Sequence, residues 1–519
     1  MFLIALTIRL AAILFWQFDG LYGQDSYAYF QQAFAIVDNI PKGLPPPKDF
    51  FWPNGYPLLI AIFMLIVGKV PLAGQLAALL SGALLAPLAY VLTKDLLTNS
   101  QSTNCSTNQR AGILAGLIIA VAGQPILSSI VVMADMPALF WATLSTWCVV
   151  RGSSQHNLRS VEGTPHSGPQ QAVWFAAAGT TLALAIISRW IYILILPTLG
   201  SYTIFNMRKA KRLWLSPALA IVSGIIILGP QLWLSHNNRG GLLHAWLLGW
   251  QPVNFFQRQF ENIDGHFSYQ LPVGIFYAQP AGHPAYIFPL LGLAGIWGLW
   301  RLWQKKQGGV IILLLGWIAS VYLFLGGIPY QNFRFGVTLY VPLVILTGAG
   351  ISDLIRRRAT TSLFPRTRVP LCLRPIVLFI TVLSLLGMLG WAYPMLDNFL
   401  TIQNQSKNIA RQVEQSLPPE ATLLTFGLTL TFQHYTKLNT LELFYFDEIS
   451  LDNLTTAQNP SYLLLDLHNI ETQWLGKTPQ INYQWLRKNT VLTKIDTFPP
   501  YVLFKVDRTS QDPDRDSID

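Results

Sequence analysis

Eleven apolar runs constrain this chain more than any other feature. They lie at about 1–17, 73–97, 110–130, 136–151, 172–187, 190–206, 213–235, 284–303, 309–327, 336–353 and 374–395. Several sit near the lower limit of roughly 17 residues for a helix that crosses a bilayer. Charged residues are only 12% of the sequence and hydrophobic ones 52%, whereas soluble domains carry about a quarter charged. The pattern predicts a mainly α-helical polytopic membrane protein of about eleven spans with one soluble appendage. The run Tyr56 to Val67 follows Trp52-Pro53-Asn54-Gly55 and is short, so it reads as an interfacial helix within a first exterior loop at 18–72. Met1 to Trp16 has neither a basic start nor a small-x-small cleavage site, and reads as a helix rather than a secretory signal.

Basic residues orient the spans. With eleven spans and the N-terminus inside, one side receives Lys94, Arg110, Arg151, the run Arg208 to Arg212, Arg301, Lys305, Lys306 and Arg356 to Arg358, while the other keeps few, such as Lys42, Lys69, Arg239 and Arg334. The richer side is cytoplasmic. Counting 56–67 as a span would invert every later loop. The net charge of +10 thus has a topological source, and no nucleic-acid partner is implied. The expected location is the plasma (inner) membrane, multi-pass, with a cytoplasmic N-terminus and an extracytoplasmic C-terminal domain. Cys105, Cys148 and Cys372 form no spaced set, so neither a disulfide framework nor a zinc pattern follows.

The expected division is a transmembrane module at 1–397, with a second exterior loop at 236–284, and a soluble α/β domain at 398–519. Within the latter, Ile402, Ile409, Val413 and Leu417 mark one face of a helix over 403–416. Strands are predicted at 421–426, 441–446, 461–467, 490–498 and 501–506, with helix around 483–488. Residues 98–108, 153–170 and 511–519 are polar and read as loops or disordered tail.

A few polar residues gather on the predicted exterior face. Asp25, in Asp19-Gly20-Leu21-Tyr22-Gly23-Gln24-Asp25, follows the first span; most residues so placed only mark the interface. Asp135, in Met133-Ala134-Asp135-Met136-Pro137, suits an ordinary helix start equally well. Both carboxylates fall on one face, and helices one to four can bring them together. Arg334 opens the tenth span and either snorkels to headgroups or grips a phosphate bidentately. Arg189, between two apolar runs with no near-sequence partner, has the same two readings, because a charge near hydrocarbon needs a reason. Tyr29 and Tyr330 join Arg334 and Arg189 as candidates for binding lipid phosphate and substrate. His236, His244, His266 and His283 show no metal-ligand spacing. No glycine-rich phosphate loop is present.

Taken in order, these features resemble a family. Arg9 lies in the first helix. An exterior loop follows with Asp25, Tyr29 and Ala33 spaced as Asp-x-x-x-Tyr-x-x-x-Ala, then Trp52-Pro53-Asn54-Gly55-Tyr56-Pro57, then the Asp135-Met136-Pro137 turn, then Arg334. This is similar to the GT-C glycosyltransferases of the protein O-mannosyltransferase and aminoarabinose transferase type, over roughly residues 1 to 350. The resemblance implies a sugar carried on polyprenyl phosphate and moved to a lipid, glycan or protein hydroxyl at the outer membrane face. Asp25 would be the general base and Asp135 a second catalytic acid that orients the acceptor or Asp25. Ser26 stands where the family often has glutamate. No cofactor is required by the sequence; a divalent ion between two acids is compatible with it. The competing reading is a transporter or flippase of lipid-linked saccharides, which would more often show internal repeats and charges inside broken spans.

Overall fold

A computed structural model describes residues 1–45, 47, 50–98, 105–159, 168–207, 215–237, 249–356, 373–455 and 459–508. The basic run from Arg208 to Arg212, together with Arg239, His244, Arg357, Arg358, Cys372, most of the polar loops and the tail 511–519, lies outside the described residues. The chain divides into two units, Met1–Leu21, Ala28–Phe256 and Leu271–Asn398 forming one, and Tyr22–Tyr27, Gln257–Gln270 and Phe399–Asp519 the other.

The first unit is helical. Each of the eleven predicted apolar runs overlaps helical structure among the described residues. The first ten helices are α1 (Phe2–Trp16), α2 (Gly23–Asn39), α3 (Gly55–Val67), α4 (Pro71–Thr98), α5 (Cys105–Val121), α6 (Gly123–Ile130), α7 (Asp135–Arg159), α8 (Gly168–Ser188), α9 (Leu196–Met207) and α10 (Leu215–Asn237). The helices Pro289–Gln304, Gly308–Gly327, Tyr340–Arg356 and Leu373–Ser416 follow. Seven described helices are long and apolar enough to cross a membrane, or up to eight if α5 and α6, bent by 58° at Ala122, make one broken span. The other predicted spans do not pass on length and composition; α1, for instance, has 15 residues. Helix α3 has 13 residues, about 20 Å at 1.5 Å per residue, well short of the hydrocarbon core.

The bend between α5 and α6 explains the arginine of the first helix. Arg9 is fully buried. Its guanidinium donates to Ser129 Oγ at 2.9 Å, to the Ala5 carbonyl at 3.0 Å, and to the carbonyls of Ala120 and Ile119 at 3.3 and 3.4 Å. Those last two carbonyls belong to the final turn of α5, where helix oxygens lack intrahelical partners and the dipole is negative. Arg9 therefore closes a broken helix end inside the bundle. Gly82 of α4 lets Ser129 approach, since a Cβ there would strike its hydroxyl. Farther along, Trp16 Nε1 donates to Asp397 at 3.0 Å, pinning the end of α1 to the last helix of the unit.

The second unit carries a five-stranded sheet of order β4-β3-β5-β7-β6, with β3 (Thr422–Thr425), β4 (Asn439–Glu442), β5 (Ser461–Leu465), β6 (Thr490–Phe498) and β7 (Tyr501–Arg508). Strand β3 runs parallel to β4 and β5, while β7 runs antiparallel to β5 and β6. Strand residues alternate between two cores. Leu423, Leu464 and Leu503 pack with Ile409, Val413 and Phe432, whereas Leu424, Leu463 and Val506 pack with Leu451, Ile470 and Leu486. Helices therefore cover both faces, which is why the central strands read as continuous apolar runs.

Three expectations need correction. The helix over 403–416 is not separate from the last span but continues it as one helix of 44 residues. The strand predicted at 441–446 ends at Glu442, because Leu443 turns into the core through a 3₁₀ turn at Leu443–Tyr445. The loop predicted at 236–284 includes, among its described residues, a hairpin of β1 (Gln259–Asn262) and β2 (Gly265–Ser268). That hairpin is bound within the second unit. His266 N donates to the Gln473 carbonyl at 2.7 Å, and Lys477 Nζ lies 2.8 Å from Glu261.

Candidate active site

In the first unit, Asp135 opens α7 after an irregular stretch at Val131–Ala134, which is anchored by Val132 N donating to the Gly20 carbonyl at 2.8 Å. Its carboxylate is almost wholly buried and forms an ion pair with Arg189. Arg189 sits in extended backbone between α8 and the 3₁₀ turn Trp190–Ile195. The break turns its side chain inward, where only 15% of it is exposed. Asp135 does stand at a helix start, but its carboxylate is taken up by Arg189, and a headgroup contact does not describe Arg189. Removal of either partner would leave the other side chain buried without its counter-charge.

Arg334 lies in the 3₁₀ turn Phe333–Leu339, whose start is capped when Arg334 N donates to Asn332 Oδ1 at 3.1 Å. One guanidinium nitrogen reaches Met133 Sδ at 3.3 Å. Met133 and Asp135 of one turn thus contact the two arginines. The arginines also share a ring, with the Arg189 guanidinium carbon 4.8 Å from the centroid of Phe335 and that of Arg334 5.6 Å from it. These are ordinary cation–π separations. Tyr56, Tyr192 and Tyr286 lie within electrostatic range of Asp135.

The tyrosines singled out from sequence are placed less directly. Tyr29 is buried, its ring 5.2 Å from Tyr56, 5.8 Å from Phe50 and 6.3 Å from Trp52. The Tyr330 carbonyl accepts from Tyr277 Oη at 2.9 Å, and its ring stands 6.1 Å from Phe335. His283, a neighbour of Phe333 at 5.0 Å, accepts from Ala285 N through Nδ1, and burial lowers its pKa below the usual value.

In the second unit, Asp25 occupies the first turn of α2, half-buried, where a helix N-terminus favours negative charge. Ser26 is fully buried and its hydroxyl exchanges hydrogen bonds with Tyr22, accepting from Tyr22 N at 2.6 Å and donating to the Tyr22 carbonyl. Ser26 therefore closes the turn that presents Asp25. Tyr27 packs against His434 at 5.8 Å and Tyr435 at 6.4 Å, and Lys407 Nζ lies 5.2 Å from the Tyr435 ring.

Asp264, in the β1–β2 turn, was absent from the sequence-based candidates. Crowding by protein atoms pushes its carboxyl above the usual carboxylate range, and Asp25 adds to the rise. The Asn262-Ile263-Asp264-Gly265 string is a hairpin signal that would have located the turn, though not its neighbour. A raised folded pKa means that stability is complete below the unfolded value of about 3.8 and is lost as pH climbs through the folded one. Asp264→Asn is therefore expected to raise the thermal midpoint at pH 7 and leave it unchanged near pH 3, a comparison calorimetry reads directly. Equal effects at both pH values would remove the carboxylate repulsion from the account. Among the described residues no group of three or more His, Cys, Asp or Glu gathers as metal ligands would.

Residues 72–233 match the model of the dolichyl-phosphate-mannose-protein mannosyltransferase family. No curated protein sequence is significantly similar to the chain. Several solved structures align over nearly all of it. ArnT from Cupriavidus metallidurans, bound to undecaprenyl phosphate, superposes with a TM-score of 0.59 at 15% identity, covering 96% of this chain and 97% of its own. The archaeal oligosaccharyltransferase AglB from Archaeoglobus fulgidus, in complex with an inhibitory peptide and a dolichol-phosphate, gives 0.60 at 13% identity, covering 98% of this chain and 74% of its own. Residues 72–233 thus carry the mannosyltransferase family pattern, and the chain as a whole has the GT-C fold of integral-membrane glycosyltransferases.

Proposed function

We propose that this chain is a membrane glycosyltransferase that moves a sugar from a polyprenyl-phosphate carrier to a hydroxyl on a lipid, glycan or protein acceptor at the extracytoplasmic face. The observation that carries this reading is the gathering of Arg189 and Arg334 around Phe335, with Asp135 and Met133 fixing them. Two guanidiniums held in one place suit a phosphate better than any neutral ligand, because each offers paired N–H donors to its oxygens. Undecaprenyl phosphate bound to ArnT and dolichol-phosphate bound to AglB support the same carrier class.

In this reaction the acceptor oxygen attacks the anomeric carbon and forms the new C–O bond. The old bond from that carbon to the phosphate oxygen breaks, and the phosphate keeps the electron pair and leaves as polyprenyl phosphate. The hydroxyl proton passes to the Asp25 carboxylate. Positive charge fixed beforehand near the departing phosphate lowers the barrier without reorganisation. Asp135 acts through Arg189 and is a positioning residue. The orientation follows from basic-residue bias: N-terminus cytoplasmic, C-terminal domain outside, in the plasma membrane.

Replacing Arg334 tests the phosphate role. Arg334→Lys keeps the charge and loses the planar fork, so the donor KM is expected to rise on the order of tenfold while the acceptor KM stays put. Unchanged donor KM in both Arg334→Lys and Arg334→Ala would remove Arg334 from the donor site.

A further inference from the structure

We propose that Phe335 is a positioning residue for the donor phosphate: its ring sets the spacing of the two guanidiniums that receive one phosphoryl group. The proposal rests on the reading of Arg189 and Arg334 as donor ligands. Phe335 itself is buried and offers no hydrogen bond to a substrate. What it offers is a π face to two cations, at 4.8 Å from Arg189 and 5.6 Å from Arg334.

Two like charges drawn this close repel in a site shielded from water. Something must hold them together before the phosphate arrives. The ring quadrupole attracts each cation, and its rigid plane fixes where each can sit. Arg189 has a second restraint in Asp135 and Arg334 a second in Met133 Sδ. Phe335 faces both guanidiniums. The two distances put the guanidinium carbons no more than about 10 Å apart, and one phosphoryl group can join them where each arginine reaches its oxygens at about 2.8 Å. The 3₁₀ turn matters here. It places Arg334 and Phe335 side by side in sequence while the fold brings Arg189 to the same ring from 146 positions away.

The experiment measures saturable binding of undecaprenyl phosphate to the purified full-length protein in nanodiscs, together with donor KM and kcat. Phe335→Leu keeps apolar bulk and loses the π face. It is expected to weaken undecaprenyl phosphate binding about tenfold and raise donor KM by a similar factor, with kcat changing less than threefold. Phe335→Tyr keeps the face and is expected to restore both. Because a buried leucine can also disturb folding, fluorinated phenylalanines at 335 provide a series of nearly constant shape. Affinity is expected to fall stepwise as fluorines drain the ring's negative face. Equal binding across the fluorinated series, or equal binding by Phe335→Leu with an unchanged thermal midpoint, would overturn the positioning role and leave the donor reading intact. No saturable binding by the native protein would overturn the donor reading, and this proposal with it.

Discussion

Asp25→Asn is expected to reduce sugar transfer by about 10²–10⁴, the usual cost of losing a general base, with expression and the thermal midpoint unchanged. The substitution is nearly isosteric and its site is half-buried at a helix start. Loss of the favourable charge–dipole term there costs only about 0.3–1 kcal/mol. Turn geometry survives because Ser26, not Asp25, closes it. The informative measurement is kcat at saturating donor and acceptor, as a base acts in the chemical step while a mere interface residue does not. A well-folded Asp25→Asn protein with near-native kcat would take the base assignment away.

Asp135→Asn should behave in the opposite manner, harming the fold first. Its carboxylate is 2% exposed and Arg189 15% exposed, so the variant leaves a guanidinium buried without its counter-charge. Breaking a pair of this kind costs about 3–5 kcal/mol, and the thermal midpoint in detergent is expected to drop by several degrees. Arg189 then loses one of its two restraints, so donor KM rises as well. The double variant Asp135→Asn with Arg189→Gln removes both charges. It is expected to recover much of the stability but not the donor affinity, a non-additivity that a mutant cycle reads directly. Additive stability losses would mean that the two side chains do not depend on each other.

These two acids show how far the sequence was legible. Seven of the spans, or eight if α5 and α6 make one, were readable because apolar runs of bilayer length have few alternative uses. The helices covering both sheet faces were partly readable from the Ile409–Val413–Leu417 stripe. Pairings across the chain were not. Nothing local to Asp135 or Arg189 announces a partner 54 positions away, so each kept a local explanation, helix start or headgroup contact. Arg9 was recognised only as part of a pattern. Its task of satisfying the open carbonyls of Ile119 and Ala120 depends on a helix break that hydropathy smooths over. Phe335 was overlooked because an aromatic beside an arginine at a predicted interface has a sufficient bland reading. The end of β4 was misplaced because Leu443 is as apolar as a strand residue and only tertiary packing turns it into the core.

The most direct test follows both halves of a labelled donor in proteoliposomes holding the purified protein. A polyprenyl-phosphate sugar labelled in the sugar and, separately, in the lipid is supplied with a hydroxyl acceptor. Cleavage coupled to transfer predicts labelled sugar on the acceptor and an equal amount of sugar-free polyprenyl phosphate, both lost in Asp25→Asn. Movement of the intact labelled lipid across the bilayer, with no free polyprenyl phosphate formed, would contradict the account and identify a translocator instead.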